Sequence, residues 1–352
     1  MKSFYYILVS VWLTGCVAAK KMTTPLLGKF YFTGQAQGTT YQVTYFNEDS
    51  VLTNKHFDSI FNSIDSSLSI YKPYSLINKF NDAVNEIQMD EHLQAVIEKS
   101  IIISKQTNGV SDITVYPLVR EWGFGTKKVT TVPDSATIRS ILSCVGTDKI
   151  FIKGNRLLKT QPCVKIDVNG IGQGYAVDVI ARTLELHHIQ NYLVEVGGEL
   201  RVKGSKQPGN KPFTVGIESP ARNSFDEPIL QRIIQVKDGA ITTSGNYRRY
   251  YESEGKIISH LISPATGYPL QNELISVTVF AEDAITADGY DNALMGMGLK
   301  DAITFLEKHP EMDAHFIYHT TSGAIADTAT SGFYNLFGND RSPPLPESLN
   351  KQ

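Results

Sequence analysis

Cysteine is scarce in this sequence, with three among 352 residues. A disulfide-dense scaffold is thereby excluded. No Cys or His stands at zinc-ligand spacing from Cys144 or Cys163, which argues against a structural zinc site. An excess of one charge is also missing: 33 Lys and Arg face 36 Asp and Glu, for a net charge of −3. With no basic stripe, nucleic acid is not expected as a partner held by bulk electrostatics. An apolar run of the roughly 20 residues that a membrane-crossing helix needs is lacking near the start, where residues 4–13 stop at ten. What is present is ordinary globular material: 41% hydrophobic and only 20% charged, with 17 Tyr and 16 Phe spread along the chain. Such a composition excludes disorder and suffices for a substantial core.

The short apolar run has a different use. Met1 and Lys2 give it a basic start, and its length fits the core of an export signal. It closes on Leu13-Thr14-Gly15-Cys16, which resembles the bacterial lipobox. That resemblance implies cleavage before Cys16 and lipid on its sulfur; a plain signal peptide with an incidental cysteine is the alternative. Residues 1–15 then form the signal, 16–29 a lipidated tether, 30–340 the functional domain and 341–352 a loose, Pro-rich tail. Removing the signal deletes Lys2 alone and leaves a net charge of −4, from 32 basic and 36 acidic residues. Cys144 and Cys163 would reach an oxidising compartment, where spacing leaves open whether they pair or stay independent thiols.

Periodicity predicts strands at 30–33 and 40–46, where Tyr41, Val43 and Tyr45 alternate. Helices are predicted over 55–67, over 91–107 with Asn108-Gly109 as the stop, and from about Gln173. Between 191 and 280 the chain turns β-rich, with strands expected at 192–196, 213–217, 229–236, 247–251, 256–262 and 275–280. Glu254-Gly255 suits a hairpin turn. Helices return at 286–297 and 300–308, before a strand at 314–318. The expected fold class is α+β, a largely antiparallel sheet with flanking helices.

Three stretches carry chemistry, each with a bland reading beside it. Lys165-Ile-Asp167-Val-Asn-Gly170-Ile-Gly172-Gln173-Gly174 leads into a helix, so backbone N–H groups and close approach favour an anion. Its third glycine comes one residue early for a dinucleotide fingerprint, and no Gly-Lys-Ser/Thr follows; alone it reads as a turn. Asp288, Asp291 and Asn292 stand at i, i+3 and i+4 on one helical face. Oxygen donors so grouped suit a hard cation such as Mg²⁺, although acids in a first helical turn are common. Thr242-Thr243-Ser244-Gly245-Asn246 precedes His260-Leu-Ile262-Ser-Pro264, where a lone histidine is more often structural than catalytic.

Their order decides between these readings. Gly38-Thr39-Thr40-Tyr41, Ser69-Ile-Tyr71-Lys, Gly109-Val110-Ser111-Asp112 and Trp122-Gly123-Phe124-Gly125 come first. The Asp167 glycine loop, Val196-Gly197-Gly198-Glu199, Thr243-Ser244-Gly245-Asn246, His260-Leu-Ile-Ser-Pro264 and Ala287-Asp288 follow. In this order, from about Gly34 to Gly298, the chain resembles the ApbE family of FAD:protein FMN transferases, whose fold is T-fold-related. The resemblance implies that Gln37, Tyr71, Val110, Ser111 and Asp112 line the flavin and adenosine pocket, and that Asp167, Gln173 and Ile262 contact FAD. It implies Mg²⁺ on the Gly170 carbonyl, Asp288, Asp291 and Asn292, with His260 and Asp288 as the catalytic pair. Asn292 replaces the family's usual Thr, Gln37 a common Met, and Ser111 a bulkier residue. The implied activity is Mg²⁺-dependent transfer of FMN from FAD to a Thr or Ser hydroxyl of an acceptor flavoprotein subunit or domain, with release of AMP. A periplasmic FAD pyrophosphatase and a non-catalytic flavin-binding lipoprotein are the alternatives. The implied location is the bacterial periplasm, with the chain anchored to the membrane through lipid at Cys16.

Overall fold

The computed structural model describes residues 27–125, 132–218, 230–246, 250–253 and 256–338. Its frame is an eight-stranded sheet. The strands are β1 (Gly28–Ala36), β2 (Thr39–Asn47), β3 (Tyr192–Val196), β4 (Glu199–Lys203), β5 (Asp238–Gly245), β6 (Leu274–Ala281), β7 (Asp313–His319) and β8 (Ile325–Ala329). Their spatial order is their chain order, and every neighbouring pair is antiparallel. The first hairpin turns on Gln37 and Gly38, both at positive φ (52° and 76°), the geometry that matches the twist of paired strands. The expected α+β class with a largely antiparallel sheet is what the chain adopts.

Side-chain alternation assigns the two faces of the sheet. Tyr41, Val43 and Tyr45 of β2 are buried against Phe57, Phe61 and Ile64 of helix α1 (Asn54–Leu68). Helices α2 (Glu91–Gln106), α3 (Gly172–Leu186) and α4 (Ala284–Met297) complete this layer. Phe46, one step along β2, points the other way. There it joins Val202 and a hairpin of Phe213–Glu218 with Leu230–Val236, sealed by Phe333 and Phe337. Beneath that seal, Arg232 Nη2 donates to Asp327 Oδ2 at 3.0 Å, and His315 Nε2 lies 3.0 Å from the same oxygen.

The segment between β2 and β3 also holds a small sheet of Glu86–Gln88, Ile150–Lys153 and Arg156–Lys159. A disulfide joins Cys144 to Cys163 across a Cα separation of 5.6 Å, resolving the open question of their pairing. The Lys159 ammonium donates to the carbonyls of Phe80, Pro162 and Val164 beside it.

Several expectations need correction. Asp238–Gly245 is a central strand, although its sequence suggested only a chemical motif. Of the strand expected at 247–251, residues 247–249 lie outside the described residues, and Tyr250–Ser253 pairs with Lys256–Ser259 in a separate ladder. The proposed turn at Glu254-Gly255 also lies outside the described residues. The strand expected to reach 262 ends at Ser259, which leaves His260 just beyond it. Asp288 is not in a first turn: α4 begins at Ala284, capped by the Asp283 side chain accepting from Thr286 N at 2.9 Å.

Candidate active site

The site forms where α3 and α4 cross beneath the glycine loop. The loop is pinned from below by Asn81, which is buried and clamps one residue from both sides: its Nδ2 donates to Ile166 O at 2.9 Å, and its Oδ1 accepts from Ile166 N at 2.7 Å. Asp167 N donates to Ile113 O at 2.8 Å, tying the loop to the 110–113 segment. At the helix crossing a Cβ on Gly174 would run into the Ala284 carbonyl and the Asp288 Cβ, so only glycine allows this approach. Each helix then caps the other. Asp288 of α4 accepts from Gly174 N of α3 at 2.8 Å, while Asp178 of α3 accepts from Ala284 N at 3.0 Å and Ile285 N at 2.8 Å.

A cavity of about 360 Å³ opens over this crossing. Tyr71, Val110, Ser111, Asp112, Asp167, Gly170, Gln173, His260, Ile262, Asp288, Asp291 and Asn292 all line it. Residues far apart in the chain and predicted to act together are thus brought together. Gln37 is the exception: the cavity wall is formed by its neighbours Gly38 and Thr39, while Gln37 shapes the hairpin tip. Asp112 reaches the wall, but its carboxylate is committed to the protein itself. It accepts from Thr114 N at 2.8 Å, Thr114 Oγ1 at 2.6 Å and Thr147 N at 2.7 Å. Cys16 lies outside the described residues.

Gln173 is seated by a second glycine. A Cβ on Gly197, at φ 66°, would stand 2.6 Å from Gln173 Nε2, so the amide packs directly on the β3–β4 turn. The His260 ring meets the edge of Phe124 at a centroid distance of 6.3 Å, which holds the imidazole at the cavity wall.

Charge is concentrated on the floor. Asp288 and Asp291 are 4% and 1% exposed. Burial pushes the Asp288 carboxyl up to about 7, against the Gly174 N–H and with some help from Asp178. Burial also lifts Asp291 well above the usual carboxylate range, and the nearby Asp288 and Glu199 charges add to it. Such a pair resists simultaneous ionisation unless positive charge arrives. Asn292 Nδ2 touches the Gly170 carbonyl at 3.2 Å, the Asp288 carbonyl at 3.2 Å and Asp291 Oδ1 at 2.8 Å. Two buried carboxylates, a backbone carbonyl and a side-chain amide therefore share the cavity floor, and with the amide oxygen turned inward their oxygens would fit a hard divalent cation such as Mg²⁺. Among the described residues no group of three or more His, Cys, Asp or Glu is arranged to hold a metal.

Glu199, Thr243 and Ser244 also line the cavity and were given no role at the sequence level. Glu199 is buried and its Oε2 accepts from Thr243 N at 3.4 Å. The signal lay in the Gly-Gly-Glu and Thr-Ser-Gly motifs themselves. Pairing of Ile241 with Leu200 puts these two motifs side by side on β5 and β4.

Comparison with known proteins agrees with this geometry. The model of the ApbE family matches residues 37–316. An FAD:protein FMN transferase of Haemophilus influenzae is 32% identical over 344 residues, covering 94% of this chain and 97% of its own. The flavin transferase ApbE from Vibrio cholerae superposes with a TM-score of 0.79 at 30% identity, covering 88% of this chain and 99% of that one. The Pseudomonas stutzeri flavinyl transferase ApbE, in its apo form, gives a TM-score of 0.78 at 30% identity, with 89% and 98% covered. Fold, ordered motifs and the match over most of its length together make this chain a member of the ApbE family.

Proposed function

We propose that this protein transfers FMN from FAD to a Thr or Ser hydroxyl of an acceptor protein and releases AMP. The observation that carries the reading is the convergence, in one cavity, of the 167–174 glycine loop, His260 and the Asp288, Asp291 and Asn292 floor. The glycine loop and the start of α3 offer backbone N–H groups to the pyrophosphate. Asp288, Asp291, Asn292 and the Gly170 carbonyl would hold Mg²⁺, which supplies charge neutralisation to the phosphate oxygens when bound. In the transfer, the acceptor oxygen forms a bond to the FMN-side phosphorus, and the bond from that phosphorus to the bridging oxygen breaks, so AMP leaves with that oxygen. The acceptor hydroxyl proton passes to the His260 imidazole, which acts as the general base. Positioning of this kind needs no covalent intermediate on the enzyme.

The reading extends to export and a lipid anchor at Cys16, supported by the Leu13-Thr14-Gly15-Cys16 sequence. The acceptor would then be a flavoprotein subunit or domain that meets the same compartment.

The test is a mass spectrum of residues 17–352 incubated with FAD, Mg²⁺ and a Thr-bearing acceptor domain. The expected product is an acceptor heavier by FMN less water, together with AMP. Free FMN and AMP beside an unmodified acceptor would turn the assignment to a pyrophosphatase, and intact FAD to a flavin-binding protein. His260→Ala should slow transfer by about 10²–10⁴-fold while FAD affinity stays within a few-fold.

A further inference from the structure

The side-chain amide of Asn292 is held from both ends. Its nitrogen faces the Gly170 and Asp288 carbonyls and Asp291 Oδ1, and its oxygen accepts from the Ser244 hydroxyl at 3.0 Å. Neighbour chemistry dictates this orientation. Two of the three groups around the nitrogen are carbonyl oxygens, which only accept, and the third is a carboxylate. The partner on the other side is a hydroxyl, which donates or accepts as required. The amide N–H thus contacts two of the oxygens that the proposed function assigns to the cation, the Gly170 carbonyl and Asp291 Oδ1. A cation seated among them takes the amide oxygen instead, and that requires a half-turn of the amide plane. After the half-turn the nitrogen points at Ser244, whose hydroxyl then accepts.

Ser244 is well placed to serve both orientations. It is 8% exposed, sits on β5 opposite Val277 of β6, and is fixed by the ladder between those two strands. We propose that Asn292 is a two-position amide in the cation site and that Ser244 is its positioning residue, accepting from the amide in one position and donating to it in the other. This rests on the cation reading above and deepens it, by assigning the tuning of cation affinity to a side chain that holds no cation.

The experiment is a double-mutant cycle on Mn²⁺ affinity, read by electron paramagnetic resonance on the FAD-loaded protein. Ser244→Ala should weaken Mn²⁺ binding by about ten-fold or more in the native background, the usual size of a lost outer-shell partner. In an Asn292→Thr background the same Ser244→Ala change should cost less than about two-fold, because no amide remains to be oriented. Ser244→Thr keeps a hydroxyl and should restore most of the affinity. Thermal unfolding midpoints in EDTA, measured on each variant, separate this loss from a collapsed fold. Equal losses in the two backgrounds, or none in the native one, would overturn the inference. Failure of the unsubstituted, FAD-loaded protein to bind Mn²⁺ at all would overturn the cation reading, and the two-position amide with it.

Discussion

Asp288 and Asp291 give the protein an inverted response to pH. A carboxyl whose pKa is raised by folding stabilises the fold below its ordinary value of 3.8, and that contribution is lost as pH rises through its folded value, here about 7 for Asp288. Asp291 and Asp178 are shifted in the same direction, chiefly by burial. In EDTA the unfolding midpoint should therefore fall as pH rises from about 4 to about 7. Saturating Mg²⁺ should remove most of that slope. Asp288→Asn should make the protein in EDTA more stable at pH 8, by on the order of 2–4 kcal/mol, and abolish transfer. Thermal unfolding across pH with and without Mg²⁺ measures both effects. A slope unchanged by Asp288→Asn would show that other groups cause it. At this scale the sequence was most informative where spacing was local: positions 288, 291 and 292 share a helix face by arithmetic alone. Glu199 and Thr243 escaped because they become neighbours only through strand pairing, which no short window of sequence records.

At the scale of elements, the reciprocal capping of α3 and α4 makes the site depend on one interhelical distance. Gly174→Ala would force the helices apart, since the new methyl meets backbone rather than the end of a flexible side chain. The expected cost is about 1–3 kcal/mol, read as a lower urea midpoint, with a disproportionate loss of FAD binding as Asp288 is displaced. Wild-type FAD affinity in a destabilised variant would mean that the crossing does not set the site. The helices were legible from apolar periodicity and their Asn and Gly stops. β5 was not, because Asp238–Gly245 is buried along most of its length and shows no alternation, while its Gly, Thr and Ser residues imitate a loop. β4 was hidden for a related reason: it begins immediately after the Gly197-Gly198 turn, whose two glycines mask the start of a strand.

Across the whole molecule, the cross-link between Cys144 and Cys163 acts on the cavity from outside it. It joins the segment after helix Ser135–Leu142 to the stretch that enters the glycine loop. Cys144→Ser with Cys163→Ser should cost about 3 kcal/mol, the entropy expected from opening a loop of this length, and should be matched by reduction of the native protein. Equal unfolding midpoints for the native protein with and without reductant would exclude a stabilising role. Sequence spacing could not decide the pairing, because the approach of the two Cα atoms is a product of the finished fold.

The meander itself has a temporal meaning. Since strands adjoin in the order in which they are written, a chain delivered from its N-terminus can lay each strand against the one before it, although β2 must wait through the helices and the small sheet that precede Tyr192 for its partner β3. The cavity obeys no such schedule. Its wall begins with Gly38 and Thr39, but its floor is finished only when Asp288, Asp291 and Asn292 arrive on α4. A truncated or half-delivered chain would possess most of a sheet and no flavin site, so ligand capture reports that synthesis has passed residue 292.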